Sequence, residues 1–248
     1  ASLSIGCSPN YPQSSIIAYY SDFRISSNAV YVSDFNVPNS ILTATESTEV
    51  LLSFDGAVIV DKTAKNSVSV FGDVVHTTDE KPFAEGASIV FDGNNDYMKV
   101  VQTEISLDDE FTIEAMINPS TVSGVKRILT FSDGSNVRIS GANIVVSDAD
   151  GDLLTSSSGV TSGAWSHIAV TRDANSVIRM FINGVVDANT VTSTNQVGSF
   201  GDIVVGASLF YHEGFAGNMT DIRVTQNAVY TGDFSAHTES YGIDATPV

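Results

Sequence analysis

The sequence is short of cysteine, of basic residues and of long apolar runs. Cys7 is its only cysteine, which excludes an intrachain disulfide and a cysteine-built zinc cluster. Eleven Lys and Arg stand against 29 Asp and Glu, a formal net charge of −18 that repels nucleic-acid phosphates and anionic lipids. Its apolar runs are far shorter than the roughly 20 residues that span a bilayer. We therefore expect neither nucleic acid nor a membrane as a partner.

No stretch carries the apolar spacing of an amphipathic helix, and the pattern that is present is one of strands. Short runs of Val, Ile, Phe, Tyr and Thr alternate with pairs that favour tight hairpin turns. These pairs are Asp55-Gly56, Asp92-Gly93, Asp133-Gly134, Asp150-Gly151 and Asn183-Gly184. Segment 176–182 is largely apolar on both faces, which predicts a strand covered on both sides. We predict an all-β fold, an antiparallel β-sandwich.

Residues 22–35 and 221–234 are copies of one motif. Eight of the fourteen aligned positions are identical: Asp22/Asp221, Arg24/Arg223, Asn28/Asn227, Ala29/Ala228, Val30/Val229, Tyr31/Tyr230, Asp34/Asp233 and Phe35/Phe234. We predict that residues 1–40 hold the terminal strand and exit segment of a preceding repeat, and that residues 41–248 form one complete domain. A connector is expected near 36–49, where Pro38 and Asn39 precede several Ser and Thr residues.

Six motifs follow one another in an order that resembles the laminin-G-like branch of the concanavalin-A-like lectin/glucanase superfamily. They are 51–56, 88–98, 111–119, 165–173, 181–184 and 215–224. The resemblance implies a concanavalin-A-like jelly roll, and it is similar in particular to modules of phage tail fibres, virion decoration proteins and bacterial surface proteins. Met116 departs from the pattern, since related modules usually carry Trp there; Met fills space adaptably, so we expect the fold to persist.

Calcium is the metal that the acidic turns suggest. Asp92, Asn95 and Asp96 lie in one tight Asp-Gly-Asn-Asn-Asp turn, whose oxygens could converge on a hard cation. The resemblance adds Asp221 as a further ligand, because in relatives the closing Asp lies near this turn. The alternative is that the aspartates only cap the turn through backbone hydrogen bonds. A second acidic loop, 148–152, resembles half of a calcium loop but is better explained as a hairpin turn.

Phe210, Tyr211 and His212 are the candidate ligand-binding residues, since they are aromatic and lie in a predicted loop before Gly214. The apolar face of a sugar stacks on an aromatic ring, while its hydroxyls need fixed polar groups. Core packing and a subunit contact are the alternatives for this segment. Trp165 opens a strand motif and is expected in the core.

No catalytic signature is present in the sequence. The Glu-x-Asp-x-x-Glu strand of the best-known glycosidase branch is missing, although Glu110 and Glu114 share one strand face. The Gly-x-Ser-x-Gly elbow and the phosphate-binding glycine loops are missing as well. His167 lies in a strand motif and is expected to be structural. We therefore expect no enzyme activity.

The function that fits these observations is a non-enzymatic structural, decoration or adhesion protein of a phage virion, with host-glycan binding as an expected role. Its partners would be virion proteins or copies of itself and a cell-surface glycan, at the virion or in an extracellular location. The alternative is a calcium-dependent carbohydrate-binding module of a secreted bacterial polysaccharide-degrading enzyme. A glycosidase acting through Glu110 and Glu114 is the third reading.

Overall fold

The computed structural model describes residues 66–101, 105–198, 201–236 and 238–240 in full, and four earlier strands as backbone. The chain divides into two compact units, Ala1–Asn39 and Ser40–Val248. The first unit holds an antiparallel pair, β1 (Cys7–Ser8) and β2 (Tyr11–Ser15). The repeated motif 22–35 lies outside the described residues, so its origin in a preceding repeat stays a prediction.

The described part of the second unit consists of strands and turns, without a helix. Its strands are β3 (Thr48–Ser53), β4 (Val60–Asp61), β5 (Ser67–Phe71), β6 (Val75–Thr77), β7 (Ser88–Asp92), β8 (Tyr97–Val101), β9 (Phe111–Pro119), β10 (Val125–Phe131), β11 (Asn136–Ser140), β12 (Asn143–Ser147), β13 (Asp152–Gly159), β14 (Ser166–Arg172), β15 (Val177–Ile182), β16 (Val185–Thr192), β17 (Ile203–Val205) and β18 (Ala216–Thr225). Among the described residues there is no helix long and apolar enough to cross a membrane.

The strands β3 to β18 of the second unit form two antiparallel sheets. A seven-stranded sheet has the order β13-β12-β11-β10-β17-β8-β5, and a nine-stranded sheet has the main order β16-β15-β14-β9-β18-β3-β4. In the larger sheet β7 pairs with the first half of β18, and β6 pairs with β7. The last strand, β18, therefore lies inside its sheet, with β9 on one side and β7 and β3 on the other.

One apolar core lies between the two sheets, and period-2 alternation explains how it forms. On β8, Met98 and Val100 are fully buried in the core, whereas Tyr97 and Lys99 point to the opposite face. Strands of both sheets contribute to the same buried cluster. The predicted antiparallel β-sandwich is confirmed. Trp165 is half-buried at the start of β14, outside the buried cluster in which the sequence placed it.

The chain itself covers the outer face of the nine-stranded sheet. After β18, residues 226–234, here called the strap, cross β9, β14 and the β15–β16 turn. Backbone groups of Asn227 and Val229 bond to the Thr112 hydroxyl at 2.7 and 2.8 Å, and the Phe234 N–H donates to the Gly184 carbonyl at 2.9 Å. The Tyr230 and Phe234 rings stack at 3.7 Å between their centroids, and both pack against Phe181. Strand 176–182 is thus covered on both faces, as its sequence predicts.

A buried polar network lies under the strap, centred on Glu114 of β9. The residue is 1% exposed. Oε1 accepts a hydrogen bond from Nε of Arg223 at 2.5 Å, and Oε2 accepts one from the Tyr230 hydroxyl at 3.0 Å. Nε2 of His167 lies 3.1 Å from the same Oε2. Because the strap seals this carboxylate from solvent, Glu114 holds the last strand and the strap on the sheet and is closed to a substrate.

Candidate ligand-binding surface

The outer face of the seven-stranded sheet carries the candidate site, because the strap leaves it uncovered. Phe71 of β5 and Tyr97 of β8 stand directly opposite each other in the strand register. Their rings stack with centroids 4.5 Å apart and planes 9° from parallel. Both side chains lie on the face away from the core, so the pair begins an aromatic surface at one edge of the sheet.

Residues 206–215, here called the aromatic loop, cross this face between β17 and β18. Backbone hydrogen bonds fix both ends: the Gly206 N–H donates to the Ile128 carbonyl at 3.0 Å, and the Phe215 N–H donates to the Gly206 carbonyl at 2.8 Å. The Thr130 hydroxyl donates to the Ala207 carbonyl at 2.9 Å. The backbone of the loop is therefore tied to β10 at its start and closed on itself at its end.

The aromatic loop adds a third ring to the pair on the sheet. Tyr211 stacks on Tyr97 with centroids 4.2 Å apart and planes 18° from parallel. Phe71, Tyr97 and Tyr211 together are called the aromatic stack below. Phe71 is 39% exposed, Tyr211 is 43% exposed, and the neighbouring Phe210 is 80% exposed. Tyr211 and Glu213 have φ angles of 60° and 56°, a conformation that costs energy for side chains of this size and that clusters at functional sites.

A polar cleft of about 330 Å³ lies beside the aromatic loop, between β10, β11, β12 and the turn 148–152. Nη2 of Arg138 donates to both carboxylate oxygens of Asp152, at 2.6 and 2.7 Å, and Nε of Arg127 donates to Glu213 of the aromatic loop at 2.5 Å. The hydrogen bonds from Arg138 hold the pKa of Asp152 below its usual value. Glu213 lines the cleft while Tyr211 extends the stack, so the loop joins the two features into one surface.

The sequence identified only part of this surface. Phe210, Tyr211 and His212 are all exposed on the aromatic loop, and Tyr211 is the one that belongs to the stack. Sequence reasoning missed Phe71 and Tyr97, as well as the arginines of the cleft. The available signal was alternation: Tyr97 opens a strand whose next residue is a core methionine, which predicts an outward ring.

The turn 148–152 is a hairpin turn between β12 and β13, the interpretation that the sequence favoured. Oδ1 of Asp148 accepts the N–H groups of Asp150 and Gly151, both at 2.8 Å. Its Oδ2 accepts a hydrogen bond from the Asn195 amide at 2.7 Å. The hydrogen bond from Asn195 lowers the pKa of Asp148, and the N–H groups of Asp150 and Gly151 lower it further. Together these bonds exceed the opposing effect of burial, which raises the pKa.

A cluster of three carboxylates lies at the base of the aromatic stack. Asp73, Asp92 and Asp96 each have a carboxylate oxygen within 4.8 Å of the other two. The buried Asp96 accepts the Asp73 N–H at 2.9 Å through Oδ1 and the Asp92 N–H at 2.8 Å through Oδ2. Burial raises the pKa of Asp96, and the charges of Asp92 and Asp73 raise it further. Asp96 thereby ties the turn after Phe71 to the turn before Tyr97.

Asp221 lies elsewhere, and its inclusion with this turn is corrected. The strand register pairs Asp92 with Ala216, so Asp221 is five residues farther along β18, about 17 Å away. Its Oδ1 accepts a hydrogen bond from the Ser240 hydroxyl at 2.7 Å. Asn95 does lie in the turn, exposed and with a φ of 66°. The third carboxylate near Asp92 and Asp96 is Asp73, which sequence spacing did not reveal.

The family model described as the concanavalin A-like lectin/glucanases superfamily, of the third laminin G type, matches residues 92–231. This match covers more than half of the chain. The chain belongs to the laminin-G-like family of this superfamily. The matched region includes the cleft, the aromatic loop, β18 and Tyr230 of the strap, whereas Phe71 and Asp73 precede it. No curated protein sequence matches the chain.

Solved structures similar to this laminin-G-like chain include receptor-binding domains of toxins. The binding domain of Paraclostridial mosquitocidal protein 1 has a TM-score of 0.61 at 16% identity, over 75% of this chain and 50% of that one. The receptor-binding domain of botulinum neurotoxin type G has 0.58 at 15%, over 75% and 49%. A structure of botulinum neurotoxin type C, whose cell entry depends on interaction with two ganglioside molecules, has a TM-score of 0.55 at 15% identity, over 74% of this chain and 48% of that one. The chain spans about half the length of these structures, and the likeness shows the fold alone.

Proposed function

We propose that this laminin-G-like chain is a non-enzymatic glycan-binding module and that its ligand lies on the outer face of the seven-stranded sheet. The observation that carries the proposal is the exposed aromatic stack beside a polar cleft, joined by one anchored loop. An aromatic ring binds the apolar C–H face of a sugar, and the guanidinium and carboxylate groups next to it suit the hydroxyls. The similar botulinum neurotoxin type C structure, for which cell entry depends on two ganglioside molecules, supports a glycan as the ligand class.

The charges of the cleft favour a neutral glycan over an anionic one. Its lining includes four acidic side chains, and its two arginines already pair with two of them. An incoming carboxylate or sulfate would meet the unpaired acids Asp148 and Asp150 and a chain with a net charge of −18. Sugar hydroxyls carry no such penalty and can both donate to and accept from the existing ion pairs.

The site we propose is tested by removing its aromatic groups one at a time. In Tyr211→Ala the middle ring, Tyr97, loses its outer neighbour, and we expect the dissociation constant for a neutral oligosaccharide to rise about tenfold, or 1.4 kcal/mol. Phe210→Ala should weaken binding as well. Val185→Ala is the matched control, because Val185 is 61% exposed on the nine-stranded sheet. The measurement is isothermal titration with neutral oligosaccharides first selected on a glycan array.

The outcomes separate the function from the site. Absence of every glycan signal on the array contradicts the proposed function. Binding that survives both Tyr211→Ala and Phe210→Ala unchanged contradicts the site but leaves a glycan-binding function. Release of reducing ends from any polysaccharide during prolonged incubation contradicts the non-enzymatic assignment, which rests on the burial of Glu114.

Calcium binding by Asp73, Asp92 and Asp96 is part of the proposal. Three carboxylates supply hard oxygen ligands, and each oxygen of Asp96 keeps a lone pair beyond the N–H bond that it accepts. A bound cation would offset the mutual repulsion of the cluster and fix the turns that carry Phe71 and Tyr97. We expect calcium to raise the melting temperature of the unaltered chain and to have no effect on Asp73→Asn/Asp92→Asn. Asp150→Asn is the control, and an equal calcium response in all three proteins would refute the site.

We further propose that the module acts at the surface of a phage virion or in another extracellular location, together with virion proteins or copies of itself. The internal copy of the strap motif supports an array of such domains, in which weak sites act together. The alternative is a carbohydrate-binding module attached to a polysaccharide-degrading enzyme. Binding to purified phage virions favours the first role, and increased hydrolysis of a polysaccharide by a linked catalytic domain favours the second.

A further inference from the structure

The two edges of the seven-stranded sheet end in different ways. At one edge, the Asp187 carboxylate of β16 in the other sheet accepts the N–H groups of Ser157 and Ser158 on β13, both at 2.8 Å. At the other edge, β5 pairs only with β8 among the described strands. Side chains therefore cap the first edge, whereas the second offers the backbone groups of β5 to a further strand.

The sequence of β5 has none of the features that keep an edge strand from pairing. Its five residues, Ser-Val-Ser-Val-Phe, include no charge and no proline, in a chain whose formal net charge is −18. The register with β8 runs from Ser67 to Phe71 without a bulge. A regular, uncharged edge of this kind is a template for another β-strand.

Apolar side chains at this edge are incompletely covered on both faces of the sheet. Val70 stands opposite the fully buried Met98 and so points toward the core, yet it is 42% exposed. On the outer face, Phe71 is 39% exposed. Val101 of β8 is 43% exposed on that same face and stands opposite the small Ser67. A strand added beside β5 would cover apolar surface on both of its faces.

The order of residues in β5 fits a second copy of the same strand. When two copies run antiparallel about Ser69, Val68 of each lies opposite Val70 of the other, and Ser67 lies opposite Phe71. Directly opposite residues share a face of the sheet, so the valines of the two copies cover one another at the margin of the core. On the outer face, each Phe71 ring meets a small serine, beyond which lies the exposed valine of β8. The strand is therefore complementary to itself, as a twofold contact requires.

We propose that the chain forms a twofold dimer in which the β5 strands of two copies pair antiparallel about Ser69 and join the two seven-stranded sheets into one. Because opposite residues keep their face, both aromatic stacks lie on the same side of the joined sheet. Their Phe71 residues are four positions apart along the strands, about 13 Å. A role for both stacks in binding one glycan rests on the proposed function. The dimer itself needs no glycan, so its failure leaves glycan binding untouched.

The first experiment measures the mass of the full chain by sedimentation equilibrium at concentrations up to about 1 mM. We expect reversible association to twice the mass of one chain. Val70→Lys places a charge at the apolar pair of each strand, so this variant should keep the mass of one chain where the unaltered chain is dimeric. Val185→Lys is the matched control, because Val185 is 61% exposed on the other sheet, and it should associate like the unaltered chain. A single-chain mass at every concentration, or a dimer that Val70→Lys leaves intact, overturns the proposal.

The second experiment tests the register and does not depend on Val70. Ser69→Cys is made together with Cys7→Ser, so that each chain holds one thiol. In the dimer the two thiols lie directly opposite each other, with Cα atoms about 4.5–5.5 Å apart, a separation that a disulfide spans. Ser67→Cys in the same background is the matched control, because two copies of this position lie about 13 Å apart. We expect mild oxidation to link the Ser69→Cys chains in pairs and to leave the Ser67→Cys chains unlinked. Equal linkage of both variants, or linkage of neither, overturns the proposed pairing.

Discussion

Replacement of Glu114 by Gln is the most direct test of the link between strap and sheet. Glutamine keeps the shape of the side chain but removes the charge that faces Arg223, whose own side chain is buried. The amide has one oxygen, so it cannot accept from Arg223 and Tyr230 in the way that the two carboxylate oxygens do. The variant therefore leaves a buried guanidinium without its counter-charge.

The expected cost follows from that uncompensated charge. Loss of one member of a buried ion pair costs about 3–5 kcal/mol of unfolding free energy. In guanidinium chloride, with a slope of about 4 kcal/mol per molar for a domain of this size, the midpoint should fall by about 1 M. Replacing both charges, as in Glu114→Met/Arg223→Met, should cost less than the single substitution, because no charge then stays buried alone.

Fluorescence of Trp165 reports this unfolding, since it is the only tryptophan and lies two residues before His167 of the network. Glu110→Gln is the control: that carboxylate precedes β9 and is partly exposed, so we expect a change within about 0.5 kcal/mol. A cost below about 1 kcal/mol for Glu114→Gln, or a double variant less stable than the single one, would refute the argument that the strap is held by a buried ion pair.

Two further predictions concern turns and sheet edges. Gly72→Ala should destabilise the chain by more than about 1 kcal/mol, the cost of a left-handed alanine alone, because its Cβ would also lie 2.2 Å from Oδ1 of Asp96. Gly124→Ala is the control, because Gly124 has a similar φ but open space around it, so this variant pays only the left-handed strain. The two variants are compared in parallel thermal melts. Equal losses would contradict the steric argument. Asp187 of β16 accepts N–H groups of Ser157 and Ser158 on β13, both at 2.8 Å; burial opposes its ionisation, but these hydrogen bonds prevail and lower its pKa from the ordinary 3.8. The ionised Asp187 stabilises the fold fully above pH 3.8, and this stabilisation is lost as the pH falls through the lower pKa that the group has in the folded chain. Asp187→Asn should therefore make the free energy of unfolding depend less on pH in this acidic range. An unchanged slope of that free energy against pH would refute the prediction.

The fold could be predicted because its signals are local. Alternation and Asp-Gly pairs mark strands and hairpins within a few residues of one another. The apolar pattern of 176–182 predicted two covered faces, and the structure supplies a separate cover for each. Ile178 and Met180 meet the core, and Phe181 meets the strap.

The site was harder to predict because it depends on which strands are neighbours. Tyr211 could be found from its loop alone, but its ring partner Tyr97 lies on a strand that reaches it only through sheet order. Asp73 joins Asp96 for the same reason, across two turns. Asp221 was misplaced because motif order gives neighbouring strands without their register, and five residues of register move a side chain to another part of the sheet.

The interior position of β18 also determines when the domain can fold during synthesis. The strands that flank it, β9 and β7, begin 105 and 128 residues before β18, and their edges toward β18 stay unpaired until residue 225 has left the ribosome. Such edges recruit other strands, and pairing across so long a loop is slow. In an array of similar domains, the order of translation therefore governs which closing strand reaches which sheet, and chaperones that shield open edges would influence the yield of correctly paired domains.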